Sequence, residues 1–138
     1  MDLKQYITKE KLKELDEIDN NLTVNLNDTD FDNQTKKKYH DAIMEYQIVH
    51  AAATCLYYKI NDMDKKCEEL AKQYYRLPDG YEKTRIAEKH NAIVADRDSI
   101  ARFKLTLMDK LKKDEKKVED LANTIINRAK ALMENKKV

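Results

Sequence analysis

Apolar residues recur at steps of three and four along nearly the whole chain. From Tyr39 the series Tyr39, Ile43, Tyr46, His50, Ala53, Tyr57, Ile60, Met63, Cys67, Leu70, Tyr74, Leu77 keeps that spacing, with two consecutive threes around Ile60. Such a period puts one apolar stripe on one face of a helix, so the pattern predicts a single long helix over about 34–77 with a coiled-coil-like seam. A second long pattern starts after Gly80. It carries Met108, Leu111, Val118, Ala122, Ile125, Ala129 and Leu132, with Glu115 at one seam position, and predicts a helix over about 81–135.

The sharpest interruption is Leu77-Pro78-Asp79-Gly80. Pro78 disfavours the α conformation at Leu77 and so ends the first long helix, while Asp79 and Glu82 have the spacing of a capping box for the next. A connection this short predicts an antiparallel pair. Upstream, Asn27–Thr35 is rich in turn and cap formers, and before it Leu12, Leu15, Ile18, Leu22 and Leu26 mark a shorter amphipathic helix over about 9–26. Thr8 is its candidate N-cap, and Asp2 can start an earlier turn. The expected fold is therefore all-α: one domain, 1–138, in which an elongated antiparallel hairpin of two long helices carries a shorter N-terminal helix.

Within the second helix, Tyr46–Tyr58 contains no Asp, Glu, Lys or Arg, although 38% of the chain is charged. A hairpin turning near Pro78 sets residue i opposite roughly residue 157 minus i, and folding the first helix back sets i opposite roughly 60 minus i. The uncharged run then meets the apolar stretch around Phe103 and Leu107 on one side and the N-terminal helix on the other. Ile48, Ala52, Leu56, Phe103 and Leu107 are the residues expected at this three-helix node. Ala51-Ala52-Ala53 supplies small side chains where three backbones must approach. The same pattern would also serve self-association, with a second copy in place of the N-terminal helix, making a homodimer the alternative occupant.

Composition narrows the chemistry. One Gly and one Pro leave little room for loops, and 27 basic residues nearly cancel 26 acidic ones, so the overall field does not favour a phosphate backbone. Lys36-Lys37-Lys38, the lysines of Lys110–Lys117 and the terminal Lys136-Lys137 each read as solvated faces, the first two with acidic neighbours. Nucleic acid is an unfavoured partner on this reading, and a weak lysine-based contact with it is kept as the second function class. Ser99 is the single serine, and neither a Gly-rich phosphate loop nor a Cys-x-x-Cys pair occurs. Facing helices that bind metal commonly use Glu-x-x-His, which is missing, so neither catalytic nor metal residues nor a cofactor are expected. His50 and His90 read as partly buried, hydrogen-bonded residues.

Cys55 and Cys67, twelve apart on one helix, would lie roughly 18 Å apart at about 1.5 Å per residue, too far for a disulfide. The first residues alternate charge with apolar side chains rather than forming a secretion signal, and the uncharged run is too short for a membrane span. These features predict a cytoplasmic protein that uses no membrane.

What remains is a surface for another protein. The stretch Ile60–Arg97 is expected to project beyond the node as a two-helix arm of about 27 Å. Tyr74, Tyr75, Arg76, Leu77 and Tyr81 surround its tip, and tyrosine and arginine commonly anchor protein interfaces. The competing reading closes the seam with Tyr74 and Leu77 and leaves the other rings as amphipathic surface. Of the other tyrosines, Tyr39, Tyr46, Tyr57 and Tyr58 are expected in the core with their hydroxyls reaching water. The function expected from all this is non-enzymatic: an adaptor, small chaperone, scaffold or inhibitor presenting a helical surface, with a homo-oligomeric structural subunit as a third class.

Overall fold

Capping chemistry sets the start of each element, as the computed structural model, which describes residues 2–136, shows. Asp2 accepts a hydrogen bond from the Lys4 amide at 3.0 Å and opens a short 3₁₀ turn, Leu3–Tyr6. The Thr8 side chain accepts from the Lys11 amide and starts α1, Lys9–Asn27. Asp32 does the same for α2, Asn33–Arg76, accepting from the Thr35 amide at 2.7 Å. α3 spans Tyr81–Lys136. Lys137, half of the terminal lysine pair, lies outside the described residues.

The corner between α2 and α3 departs from the capping-box expectation. Leu77 takes an extended conformation, φ −90° and ψ 143°, as a residue before proline should. α3, however, is opened by Gly80, whose carbonyl accepts from the Thr84 amide at 3.2 Å. The Asp79 carboxylate sits one position too early to cap and instead approaches Lys83 Nζ at 3.4 Å. Gly80 has φ +157° with nothing within 4 Å of where a Cβ would stand, so glycine is there for its backbone conformation rather than for space.

α2 and α3 pack as the antiparallel hairpin of the expected all-α fold, and the shorter α1 folds back against α2. Cross-hairpin contacts show the register: Lys110 with Glu45, Lys83 with Tyr74, Arg128 with Asp32, Arg97 with Asp64 and Lys104 with Tyr57. Their residue numbers add to between 155 and 161, a spread that straddles the 157 read from the turn. For α1, Asp19 against His40 gives 59.

The core is concentrated at one height. Ile7 and Leu15 from the N-terminal segment, Val49, Ala51, Ala52, Ala53 and Leu56 from α2, and Leu107 from α3 form one buried cluster, with Ile48 and Phe103 packed against it. Ala52 is completely buried (0% exposed), and the small side chains of the alanine triplet let the elements of the cluster approach closely. Beyond this cluster, between residues 61 and 106, no residue is buried, so the arm is a thin two-helix rod.

Several inward positions differ from the sequence pattern. Tyr57 and Tyr58 are exposed (49% and 63%) rather than in the core, because the α2 seam steps through Val49, Ala53, Leu56 and Ile60 instead of through Tyr57. Tyr39 and Tyr46 are half-buried. On α3 the inward series is Leu107, Leu111, Asp114 and Val118; Glu115 is exposed, and Met108 and Leu132 turn outward. A seam of alternating threes and fours places Asp114 inside and its neighbour Glu115 outside. The carboxylate at the seam is therefore Asp114, not Glu115 as the spacing suggests.

Candidate protein-docking surface

The tip residues lie on different faces of the arm. Tyr75 and Tyr81 flank the Pro78 corner and are 82% and 80% exposed. Tyr74 is half-buried, meets Tyr75 edge to face at 5.4 Å between ring centroids, and carries Lys83 Nζ 4.6 Å above its ring. Tyr74 and Tyr75 line a shallow groove of about 210 Å³ with Leu70, Ala71, Ala87 and His90. Arg76 and half-buried Leu77 line a different groove, with Gln73, Arg85, Ile86 and Lys89. The five residues thus divide between an aromatic side and a charged side, with Tyr81 bordering neither groove.

The small residues Ala71 and Ala87 line the aromatic groove from α2 and α3, leaving room for it between the helices. A tyrosine exposed by four fifths keeps most of its ring free even where, like Tyr75, it touches a neighbour, and two of them at one corner offer large contact area at low conformational cost.

A second exposed apolar set was hidden in the sequence by its near-register spacing. Tyr57 and Tyr58 meet edge to face at 5.6 Å, Lys104 Nζ lies 4.9 Å over the Tyr57 ring, and Leu105 and Met108 of α3 are exposed at the same height. Tyr57 and Met108 fit the apolar spacing of the seam, and their outward placement becomes legible only in the packed helices.

Several charged groups tie the two long helices together. Lys110 Nζ lies 2.5 Å from Glu45 Oε1, and that hydrogen bond, with the nearby Asp114 charge, holds the ammonium above its ordinary range despite partial burial. Arg97 bridges α3 to Asp64 of α2 at 2.9 Å, which raises the guanidinium pKa further. Asp32 is lowered from the usual carboxylate value, first by the Thr35 amide hydrogen bond, then by the Thr35 hydroxyl and by Arg128. Lys38, Lys113, Lys116 and Lys117 border one groove, together with Asp41 and Asp120.

The histidines do not converge. His50 is exposed and stacks on Tyr46 at 6.1 Å, contrary to the partly buried, hydrogen-bonded reading, because its position on α2 faces away from both α1 and α3. His90 is half-buried, with Nδ1 3.4 Å from Asn91 Oδ1. His40, to which the sequence pattern assigned nothing, bridges α1 and α2 through Asp19. Among the described residues no three His, Cys, Asp or Glu side chains are grouped to hold a metal ion. Cys55 and Cys67 are free thiols, and no described helix is long and apolar enough to cross a membrane. In comparison with known proteins, no family model matches this chain, and neither the curated proteins nor the solved structures hold a significant match to it.

Proposed function

We propose that the protein is a non-enzymatic interaction module that presents the aromatic side of its helical arm to another protein. The observation that carries this reading is the pair Tyr75 and Tyr81, both about four-fifths exposed on either side of a rigid proline corner. Tyr74 and Leu77 close the seam beneath them, so the exposed rings are held in place without being consumed by packing. The adjoining groove past Ala71 and Ala87 gives a partner side chain somewhere to enter. An adaptor, small chaperone, scaffold or inhibitor would each use such a tip, and the cytoplasm is the compartment that suits the free thiols.

The test is site-specific photo-crosslinking from position 75 in cells of the native host, alongside affinity capture with wild type and with Tyr75→Ala/Tyr81→Ala. A crosslinked partner that the double variant no longer captures supports the reading. Equal capture by both proteins sinks it.

A second reading follows from the groove bordered by Lys38, Lys113, Lys116 and Lys117, which suits a weak contact with a nucleic-acid backbone. It stands second because Asp41 and Asp120 border the same groove. Binding to duplex or single-stranded DNA that falls steeply with salt and disappears on charge reversal of these lysines would favour it over the tip.

A further inference from the structure

Whether the three-helix core exists at all depends on α1 staying on the hairpin. Among the described residues, every side-chain hydrogen bond or ion pair that α1 makes with the hairpin ends on His40. Asp19 Oδ1 lies 2.5 Å from His40 Nε2 and Thr23 Oγ1 lies 3.5 Å from the same nitrogen. On the opposite side of the ring, Asp41 Oδ1 lies 3.3 Å from Nδ1. The remaining hold is apolar, through buried Ile7 and Leu15, half-buried Leu12, and Tyr6 against Phe103 at 5.0 Å between ring centroids.

The ring therefore has a carboxylate at each nitrogen. A neutral imidazole carries one N–H and must turn a lone pair toward one of the two carboxylates, whereas an imidazolium donates to both. The charged form is the one this geometry fits. We propose that His40 is a proton-operated latch: its charged form holds α1 against the hairpin, and loss of the proton loosens α1 from the alanine-lined face of α2. A freed α1 would be a marginal helix in water, so undocking would be accompanied by melting.

The charges around the latch act in both directions. Asp19 of α1 and Asp41 of α2 favour the proton. On the Asp41 side, Lys38 of α2 and Lys113, Lys116, Lys117 and Asp120 of α3 border one groove with Asp41, so both signs of charge stand near the latch. Partial burial pushes the imidazole down, and the hydrogen bonds and charges of Asp19 and Asp41 more than offset that, leaving His40 above its ordinary value. A raised folded value means that the latch contributes fully below about pH 6.5 and that its contribution is lost as pH rises through the folded value.

Spin-label distances read the latch directly. In a Cys55→Ala/Cys67→Ala background, one pair of labels at positions 21 and 123 reports α1 against α3, and a second pair at 62 and 99 reports the hairpin alone. The expected result is a single short α1 distance at pH 5.5 and a second, longer population at pH 8.5, with the hairpin distance the same at both. His40→Gln should give an α1 distribution that does not change between these pH values. Should that variant fail to fold, Asp19→Asn removes the inter-helix carboxylate alone and should flatten the same response. An α1 distribution in the unmodified latch that is identical at both pH values would overturn the proposal, as would a pH response that survives His40→Gln or Asp19→Asn.

Discussion

Lys110 holds its ammonium 3.4 Å from the Asp114 carboxylate one turn further along α3. Asp114 is 7% exposed and lies in the inward series between Leu111 and Val118, and its Oδ2 has no well-formed hydrogen bond, so Lys110 serves it mainly as a counter-charge. A buried carboxylate this poorly satisfied costs stability, and replacing it with a well-packed apolar side chain should recover some. Asp114→Leu is expected to leave stability unchanged or raise it, by up to about 4 kcal/mol, in chemical denaturation. Lys110→Ala, which strips Asp114 of its counter-charge, should cost about 1–3 kcal/mol, toward the lower figure because Lys110 is itself partly solvated. A large loss in Asp114→Leu would contradict this account of the seam.

At the node the constraint is space. Ala52 has no exposed surface and sits among α1, α2 and α3. Ala52→Glu forces a charge into that contact without a partner and should lower the melting temperature by more than about 10 °C. Ala52→Gly should be far milder, about 1 kcal/mol, because it removes one methyl and loosens one helical residue. Melts in which the two variants match would mean that the three backbones do not meet at this position.

Tip substitutions should separate binding from folding. Tyr75 and Tyr81 contribute little buried surface, so Tyr75→Ala and Tyr81→Ala should each change stability by no more than about 0.5 kcal/mol while removing partner capture. Tyr74→Ala, by contrast, opens the seam beneath them and should destabilise the arm. Denaturation curves of the three variants, compared with their capture of the same partner, check this ordering.

Asp32 should govern the start of α2. Its carboxylate accepts from the Thr35 amide and hydroxyl and pairs with Arg128, and all of these favour the ionised form. Its contribution is therefore present above about pH 3.9 and is lost as pH falls through the lowered folded value. Asp32→Ala should speed amide exchange at Thr35 and Lys36 near neutral pH. Under strongly acidic conditions, measured as relative protection, variant and wild type should converge.

Periodicity alone was enough to reveal two long helices, a shorter leading one and a corner at Pro78, because steps of three and four, a proline and cap-forming side chains act locally. The facing of the uncharged run against both Leu107 and α1 was also legible, since a short turn makes register a matter of counting from the corner. What the chain could not show by itself was which neighbours of the node residues stay out of the core: Tyr57 beside Leu56 and Met108 beside Leu107 also fit the apolar spacing yet face outward, and Asp114 rather than Glu115 takes the seam position. A difference of one residue rotates a side chain by about 100° on an α-helix, and only the packing of three helices decides which side of that rotation is core. His40 belongs to the same class. Its neighbours in sequence say nothing of Asp19, which reaches it only because α1 folds back, and so the one ionic tie between α1 and the hairpin among the described residues exists in the tertiary structure alone.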